Sequence, residues 1–365
     1  MSASVRGRAP AGVLAVFAFF AVFGFRAAAG EIVLGFRSAA AQDSRSLPHF
    51  QPEHIVTGTI RLWGHGSSKR DFMGPLVKSW QEGLTRYFPD LKIDYKMYGT
   101  ASAIGALYAG SGDIAILGEE IHPAAAAAFE RVRHYAPLGI EIATGSLDVR
   151  NFDYAQMVFV HKDNPIRQLT LAQLDAIFGS EHRRGVNNIR TWDALGLKGE
   201  WADKRITPYS WSIDDSFSLY LENALLNGSH KWSCDLKEFR HINRTDGSVY
   251  DHGQQILDAL AKDLYGIGIS NVRYANPQVK ALALASREGG PFYEASKENL
   301  ISRKYPLTRV IPAYINRAPG KPVDPTVREF LRYILSREGQ QDIEREGGYL
   351  HLSQEAIRAQ LKQLE

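Results

Sequence analysis

The chain has 365 residues, of which 44 % are hydrophobic and 23 % are charged, and its formal net charge is +3. This length suffices for two domains or two lobes, and the balance of apolar and charged residues excludes a disordered chain. Basic residues scattered among acids argue against nucleic-acid binding, and a lone cysteine, Cys234, excludes an internal disulfide or a cysteine-pair zinc site.

The amino terminus has the pattern of an export signal. Arg6 and Arg8 precede the uncharged run AGVLAVFAFFAVFGF, and small residues follow it. This order is typical of a cleaved signal peptide over residues 1–29, with 41/42 as a second candidate for the cut. An uncleaved anchor is the alternative, although the run is shorter than the ~20 residues of a spanning helix. We expect a soluble protein that is periplasmic or otherwise exported, and one without a lipid, because Cys234 lies far from this segment.

Strands and helices alternate through the first half of the chain. A polar leader arm over residues 30–56 precedes them. The residue pattern then predicts the strand GTIRLWG, the helix FMGPLVKSWQEGLTRYF, the strand LKIDYKMYG, the helix SAIGALYAG, the strand DIAILG and the helix PAAAAAFERVRHY. This order favours a parallel sheet with helices on its faces.

The same alternation continues in the second half. The strand AQMVFVHKDNP stops at Pro165, and the helix TLAQLDAIFGS is capped by Thr170 in front and Gly179 behind. A loop and a strand lead to the helix DSFSLYLENALL and to GQQILDALAKDLYGIGISN, a helix that runs into a strand. VKALALA and TRVIPAYIN are predicted strands, and TVREFLRYILSREGQQDIEREG is a predicted long helix.

We infer an α/β protein in which the chain crosses twice between two units. Lobe 1 is predicted from residues 57–158 and 275–365, and lobe 2 from residues 159–274. A ligand is expected in the cleft between such lobes, at the carboxyl ends of strands and the amino ends of helices.

Three segments combine a strand end, small hydroxyl residues and a helix start. They are WGHGSSKRDF (63–72), YGTASAIG (98–105) and YSWSIDDSFS (209–218). Unpaired N–H groups and the helix dipole attract an anion there, and hydroxyls add donors without charge. When each segment is taken alone, a serine or threonine helix cap explains it better than an anion site does. Together the three favour an anion site.

Asp113 stands between a glycine and an apolar strand, close to the second segment. A carboxylate repels a bound oxyanion unless the ligand carries a proton to donate. If Asp113 faces the ligand, it therefore favours hydrogen phosphate over sulfate. The alternative is that Asp113 caps a turn or forms a surface ion pair.

The stretch YGTASAIGALYAGSGDIAILGEE resembles the periplasmic phosphate-binding proteins that feed ATP-driven phosphate importers. Further similar stretches are HKDNPIRQLTLAQLDAIFGS, TWDALGLKGEWADKRITPYS, LYGIGISN, and YPLTRVIPAYIN with FLRYILSREGQQDIEREGGYLHLS, so the resemblance runs from about residue 59 to 353. It implies the two-lobed periplasmic-binding-protein type II fold, with a mostly parallel sheet flanked by helices in each lobe. It also implies a monomer that binds inorganic phosphate or a related oxyanion, without catalysis, cofactor or metal, and serves the permease and ATPase of an ABC importer.

Residue by residue, the resemblance assigns the first two binding loops. Ser67 and Ser68 match the first phosphate-binding loop, and Thr100 and Ser102 match the second. Asp113 matches the acid that accepts the ligand's proton.

The third loop departs from the family pattern. The family has an arginine four residues ahead of a Ser-Gly-Thr triplet, whereas this chain has Ser210 followed by Asp214, Asp215 and Ser216. Ser216 still offers a hydroxyl in this loop and is predicted to contact the ligand. The two acids either oppose an anion at the mouth of the site or cap the helix.

Other site types find little support. Lys69 and Arg70 either replace the missing positive charge or form a solvated surface pair. Glu119, Glu120 and His122 in GEEIHP offer metal ligands, but a solvated loop explains them and no metal is expected. Dinucleotide, nucleophile-elbow, H-E-x-x-H and Walker patterns are absent from the sequence.

Three functions stay open at this point. A solute-binding protein for an oxyanion, most of all phosphate, explains the most features. A sensory or interaction protein with the same fold and a degenerate anion site is favoured by the altered third loop. A hydrolase of phosphate esters ranks last, because no matched nucleophile and base are found.

Overall fold

The computed structural model describes residues 43–66, 73–149 and 154–365. The predicted export signal lies outside the described residues. The same holds for four predicted residues of the first loop, Ser67, Ser68, Lys69 and Arg70. None of the helices in the described ranges is long and apolar enough to span a lipid bilayer.

Strands and helices alternate in the described parts of the chain. The strands are β1 (Gly58–Gly64), β2 (Leu91–Lys96), β3 (Ile114–Ile116), β4 (Leu138–Thr144), β5 (Met157–His161), β6 (Gln168–Thr170), β7 (Thr207–Trp211), β8 (Lys237–Phe239), β9 (Ile242–Asn243), β10 (Val249–Tyr250), β11 (Gly266–Ser270), β12 (Val279–Ala281), β13 (Ala283–Ala285) and β14 (Val310–Ile315). The helices are α1 (Met73–Thr85), α2 (Thr100–Ala109), α3 (Pro123–Arg133), α4 (Leu171–Phe178), α5 (Ser216–Ala224), α6 (His252–Leu260), α7 (Lys297–Ile301), α8 (Pro325–Ile334), α9 (Arg337–Asp342) and α10 (Gln354–Gln363).

Each lobe is built on a five-stranded mixed sheet. The first sheet has the order β2-β1-β3-β14-β4, and the second has the order β12-β5-β11-β7-β8. In the first, β1 is parallel to β2 and β3, whereas β14 is antiparallel to β3 and β4. In the second, β7 is parallel to β8 and β11, whereas β5 is antiparallel to β11 and β12. The two-lobed α/β fold is confirmed, but the sheets are mixed rather than mostly parallel.

The lobe boundary predicted at residue 275 is wrong. β12 pairs with β5 in the second sheet, and Leu284, Leu300 and Leu307 are buried in the core of the second lobe. The chain returns to the first lobe only where β14 begins at Val310. The first crossing also comes earlier than predicted, because β5 lies wholly in the second sheet from Met157. An apolar strand pattern predicts a strand and not the sheet that it joins.

The described part of the predicted leader arm, residues 43–56, packs against the first lobe. Leu47 and Phe50 are buried in its core. The backbone N–H of Arg337 donates to the carbonyl oxygen of Pro48 at 2.8 Å. The segment is therefore part of the lobe rather than a free arm.

The predicted long C-terminal helix is divided into α8 and α9. Ser336 separates them and its side chain accepts the N–H of Gly339, so it caps the second helix. A Cβ on Gly339 would lie 2.3 Å from the Tyr333 carbonyl oxygen, so the tight turn requires glycine. Apolar periodicity runs through this turn, which is why the sequence predicts one continuous helix.

Candidate functional site

The ends of three elements meet at one edge of the first sheet. The N–H of Gly99 donates to the carbonyl oxygen of Gly64 at 3.2 Å, and the N–H of His65 donates to that of Ile116 at 3.0 Å. These bonds join the carboxyl ends of β1 and β3 to the amino end of α2, where Thr100 begins the helix. This is the edge at which α/β proteins hold ligands.

A buried ion pair lies at this edge. Arg309 directly precedes β14, and its side chain has no exposed surface. Its Nη2 lies 2.7 Å from Oε2 of Glu120, which follows β3 and keeps 27 % of its side chain exposed. A buried cation needs a hydrogen-bonded partner of opposite charge, and Glu120 supplies it.

The second lobe covers this ion pair with two aromatic rings from α5. The guanidinium carbon of Arg309 lies 5.0 Å from the ring centroid of Phe217 and 5.3 Å from that of Tyr220. The Tyr220 hydroxyl also donates to the carbonyl oxygen of Thr308 at 3.1 Å. Because Phe217 follows Ser216, these contacts bring the amino end of α5 to the buried charge.

His65 is a buried, uncharged imidazole at the same edge. It is 6 % exposed, and its Nε2 lies 2.9 Å from the hydroxyl oxygen of Tyr349. Burial lowers the pKa of His65 to about 4, and the nearby charge of Arg309 acts in the same direction. The positive charge at this edge near neutral pH is therefore that of Arg309 rather than of the imidazole.

We expect His65 to make the protein less stable as the pH falls from about 6.5 to about 4. The pKa of His65 is lower in the folded state than in the unfolded state, so the unfolded state binds more protons in this window and acid favours it. Urea unfolding at pH 7, 5.5 and 4.5 should show a smaller loss of stability for His65→Gln than for the natural chain, since other titrating groups are common to both. Equal losses in the two proteins would contradict this expectation.

Asp113, which the sequence predicts as the ligand's proton acceptor, does not lie at this edge of the sheet. It precedes β3, whereas the ligand edge follows β3, and the ten residues of α2, about 15 Å of helix, separate it from Thr100. Its Oδ2 accepts hydrogen bonds from the backbone N–H and Nε of Arg61 at 2.8 and 3.0 Å, and its Oδ1 accepts from Nη2 at 2.5 Å. The alternative of a surface ion pair is confirmed.

The two predicted residues of the second loop lie at the amino end of α2. Thr100 is half-buried, and the hydroxyl of Ser102 donates to the Gly99 carbonyl oxygen at 2.8 Å. Gly99 has a φ of 105°, a region that favours glycine, and this turn directs the helix start toward β1. Thr100 is thus placed at the ligand edge, while the Ser102 hydroxyl is engaged within its own turn.

The two acids of the third loop have local partners. Asp215 caps α5 by accepting a backbone N–H of the helix at 3.0 Å. Asp214 pairs with Arg240 at 2.8 Å and accepts the Ser212 hydroxyl at 2.6 Å. Hydrogen bonds from Ser212 and Arg240 lower the pKa of Asp214. The capping interpretation holds for Asp215, and the charge of Asp214 is offset by an arginine.

Sequence reasoning missed the pair of Arg309 and Glu120. Glu120 has a usable signal, because a ligand group is expected after a strand such as DIAILG rather than before it. Arg309 has no such signal in the sequence. It precedes an ordinary strand pattern and lies 189 residues from its partner Glu120. Ser210, which occupies the place of the expected arginine, is fully buried.

The chain is similar to several known proteins. A model of the PBP superfamily domain matches residues 66–338. Phosphate-binding protein PstS of Pseudomonas aeruginosa is 31 % identical over 334 residues, which cover 91 % of this chain and 94 % of that protein. Protein SphX of Synechococcus elongatus is 25 % identical over 209 residues, 56 % of each chain. The crystal structure of PstS from Borrelia burgdorferi shares the fold, with a TM-score of 0.53 at 16 % identity over 81 % of this chain and 99 % of that one.

Proposed function

This chain belongs to the PBP superfamily and to the family of the phosphate-binding protein PstS, and on that premise we propose that it captures inorganic phosphate for an ABC importer. The observation that carries the proposal is the buried guanidinium of Arg309 at the junction of the two lobes. The match to the Pseudomonas protein extends over both lobes, which supports a shared mode of capture.

Arg309 supplies the positive charge that an oxyanion requires. An arginine presents several N–H donors in a planar array that suits phosphate, and charged hydrogen bonds are stronger where water is excluded. Thr100 and Ser216, at the amino ends of α2 and α5, add backbone and hydroxyl donors. Arg309, just before β14, thus takes the role of the arginine that the family has where this chain has Ser210.

Glu120 takes the role that the sequence assigned to Asp113. An ionised carboxylate only accepts hydrogen bonds, so it favours a ligand that still carries a proton. Hydrogen phosphate has such a proton at neutral pH, whereas sulfate has none. Glu120 is partly exposed beside Arg309, so it can face a ligand held by the same guanidinium.

Capture between lobes couples binding to their arrangement. Lobe 1 contributes Glu120 and Thr100, and lobe 2 contributes the amino end of α5. A ligand that contacts both lobes favours the arrangement in which α5 lies over Arg309. Binding of this kind involves no bond chemistry, and we propose that the protein is not an enzyme.

The cellular setting belongs to the same proposal. The pattern over residues 1–29 supports export to the periplasm, and the position of Cys234 supports an unlipidated protein. The proposed partners are the permease and ATPase of the importer, and the protein acts as a monomer. Asp214 and Asp215 were the acids that favoured a sensory role. Asp214 is paired with Arg240 and Asp215 caps α5, so neither acid supports a sensory role.

Thermal unfolding with different anions tests the proposal. A ligand that binds only the folded state raises the unfolding midpoint by mass action. We expect millimolar phosphate to raise the midpoint of the purified chain by about 5 °C or more, and sulfate to raise it much less. A midpoint that no oxyanion changes would contradict the proposed function.

A further inference from the structure

A cluster of two histidines and two aspartates lies in the second lobe, beside the amino end of α5 and on the other side of Phe217 from Arg309. Its members are His241, Asp251, His252 and Asp215. We propose that this cluster binds a divalent transition-metal ion, with Zn²⁺ as the best match. The proposal stands independently of phosphate binding.

Three of the residues already place their donor atoms close together. His241, Asp251 and His252 each offer one donor, and these atoms lie within 4.8 Å of one another. The two imidazole rings stack with centroids 3.9 Å apart and an interplanar angle of 27°. Donors on one tetrahedral zinc ion are roughly 3.3–3.6 Å apart, given bonds of about 2.0–2.2 Å. Binding therefore requires the two rings to rotate out of the stack, so that their in-plane lone pairs converge on one ion.

Each aspartate is held by one oxygen and presents the other to a histidine. Asp251 Oδ1 accepts the N–H of Gly253 at 2.9 Å, while its Oδ2 lies 3.7 Å from Nδ1 of His241. Asp215 uses Oδ1 to cap α5, while its Oδ2 lies 3.6 Å from Nδ1 of His252. The caps therefore orient two carboxylate oxygens toward two imidazole nitrogens. Three donors, from His241, Asp251 and His252, form the group, and Asp215 adjoins it through His252.

The charge of the cluster suits a divalent cation. The ring of His252 is buried, with 6 % of its side chain exposed, and its Nδ1 faces the carboxylate of Asp215. Asp215 and Asp251 place two carboxylate groups beside the two imidazole rings, and such donors suit a divalent cation. Arg240, the neighbour of His241 in the chain, is paired with Asp214.

The donor types select the kind of metal. Imidazole nitrogen with carboxylate oxygen is typical of zinc and other late first-row metals, whereas magnesium and calcium prefer oxygen alone. The indole of Trp211 packs at 4.5 Å from the His252 ring and gives the cluster an apolar wall. Such a wall limits the access of water and holds the ring in place.

Metal titration of the full chain tests this inference. Chain stripped with a chelator is titrated with Zn²⁺ in competition with a chromophoric chelator, and separately with Mg²⁺. We expect one zinc ion per chain and no binding of magnesium at the same concentrations. Titration with Co²⁺ should give the visible absorption bands of a tetrahedral nitrogen and oxygen site.

Two variants and a matched control locate the site. His241→Ala removes an exposed ring, and Asp251→Asn keeps the helix cap while it removes a charge, so circular dichroism should show both folded. Each should weaken zinc binding by at least about tenfold. The control is His230→Ala, because His230 is an exposed histidine bonded to one carboxylate, Glu222, at 2.6 Å. It should bind zinc as the natural chain does.

Two results would overturn the inference. One is the absence of stoichiometric zinc binding by the natural chain. The other is zinc affinity and cobalt absorption that are the same in His241→Ala as in His230→Ala, since the metal would then lie elsewhere. Neither result bears on phosphate binding, which has its own assay.

Discussion

Replacing Arg309 with methionine should weaken phosphate binding by at least about thirtyfold. Truncating one member of a buried, hydrogen-bonded charge pair costs about 2–5 kcal/mol of binding free energy, and 2 kcal/mol corresponds to that factor. Methionine keeps most of the side-chain volume against Phe217 and Tyr220, so the packing of α5 is largely retained. Isothermal titration with phosphate measures the effect.

The matched control is Arg61→Met. Arg61 also pairs with an acid of the same lobe, Asp113, but its side chain is 45 % exposed and lies at the far end of β3, so its loss should leave phosphate affinity unchanged. A double variant, Arg309→Met with Glu120→Gln, separates two causes of weakening. It should stay weak if the missing cation is the cause, whereas recovered affinity would mean that the unpaired carboxylate had repelled the ligand. Unchanged affinity in Arg309→Met alone would refute the proposed site.

Replacing Glu120 with glutamine should reduce the preference for phosphate over sulfate by at least about tenfold. The carboxylate rejects sulfate because its lone pairs face another charged acceptor, and a glutamine amide removes the charge and offers donors instead. Sulfate should therefore bind more tightly to this variant. The ratio of the two dissociation constants, measured by titration in one buffer, checks the prediction.

Asp113→Asn is the control for this experiment, and it also decides between two assignments. Asp113 is bonded to Arg61 away from the ligand edge, so its variant should keep the natural ratio of dissociation constants. If Asp113→Asn lost the preference and Glu120→Gln kept it, the assignment made from the sequence would be restored. Both substitutions convert a carboxylate into its amide, so a difference between the two variants reports the position of the residue rather than its chemistry.

Most elements of the fold could be predicted because their signals are local. The strand predicted from GTIRLWG is observed as β1 over Gly58–Gly64, and the helix predicted after Thr170 begins there with a capping box. The break between α8 and α9 at Ser336 was not predicted, because the helical spacing of apolar residues continues through it. The return of the chain to the first lobe at Val310 was also not predicted, because a strand pattern does not indicate which strand it pairs with.

The sequence predicted an anion site at the starts of helices, but it predicted only some of the residues that form the candidate site. Thr100 and Ser216 were expected at helix starts, and the structure places them at the starts of α2 and α5. Asp113 was matched to the family's proton-accepting acid, although helix α2 separates it from Thr100. Glu120 lies beyond the strand, on the side where α/β proteins bind ligands.

The sequence by itself determined the α/β class and the positions at which α2 and α5 begin, and it predicted an export signal over residues 1–29. Each of these depends on residue preferences over a few neighbouring positions. Only the tertiary structure decided which carboxylate meets which arginine, because that contact joins residues 189 positions apart. The burial of Arg309, and with it the strength of its charge, results from two lobes packing together, which no local pattern encodes.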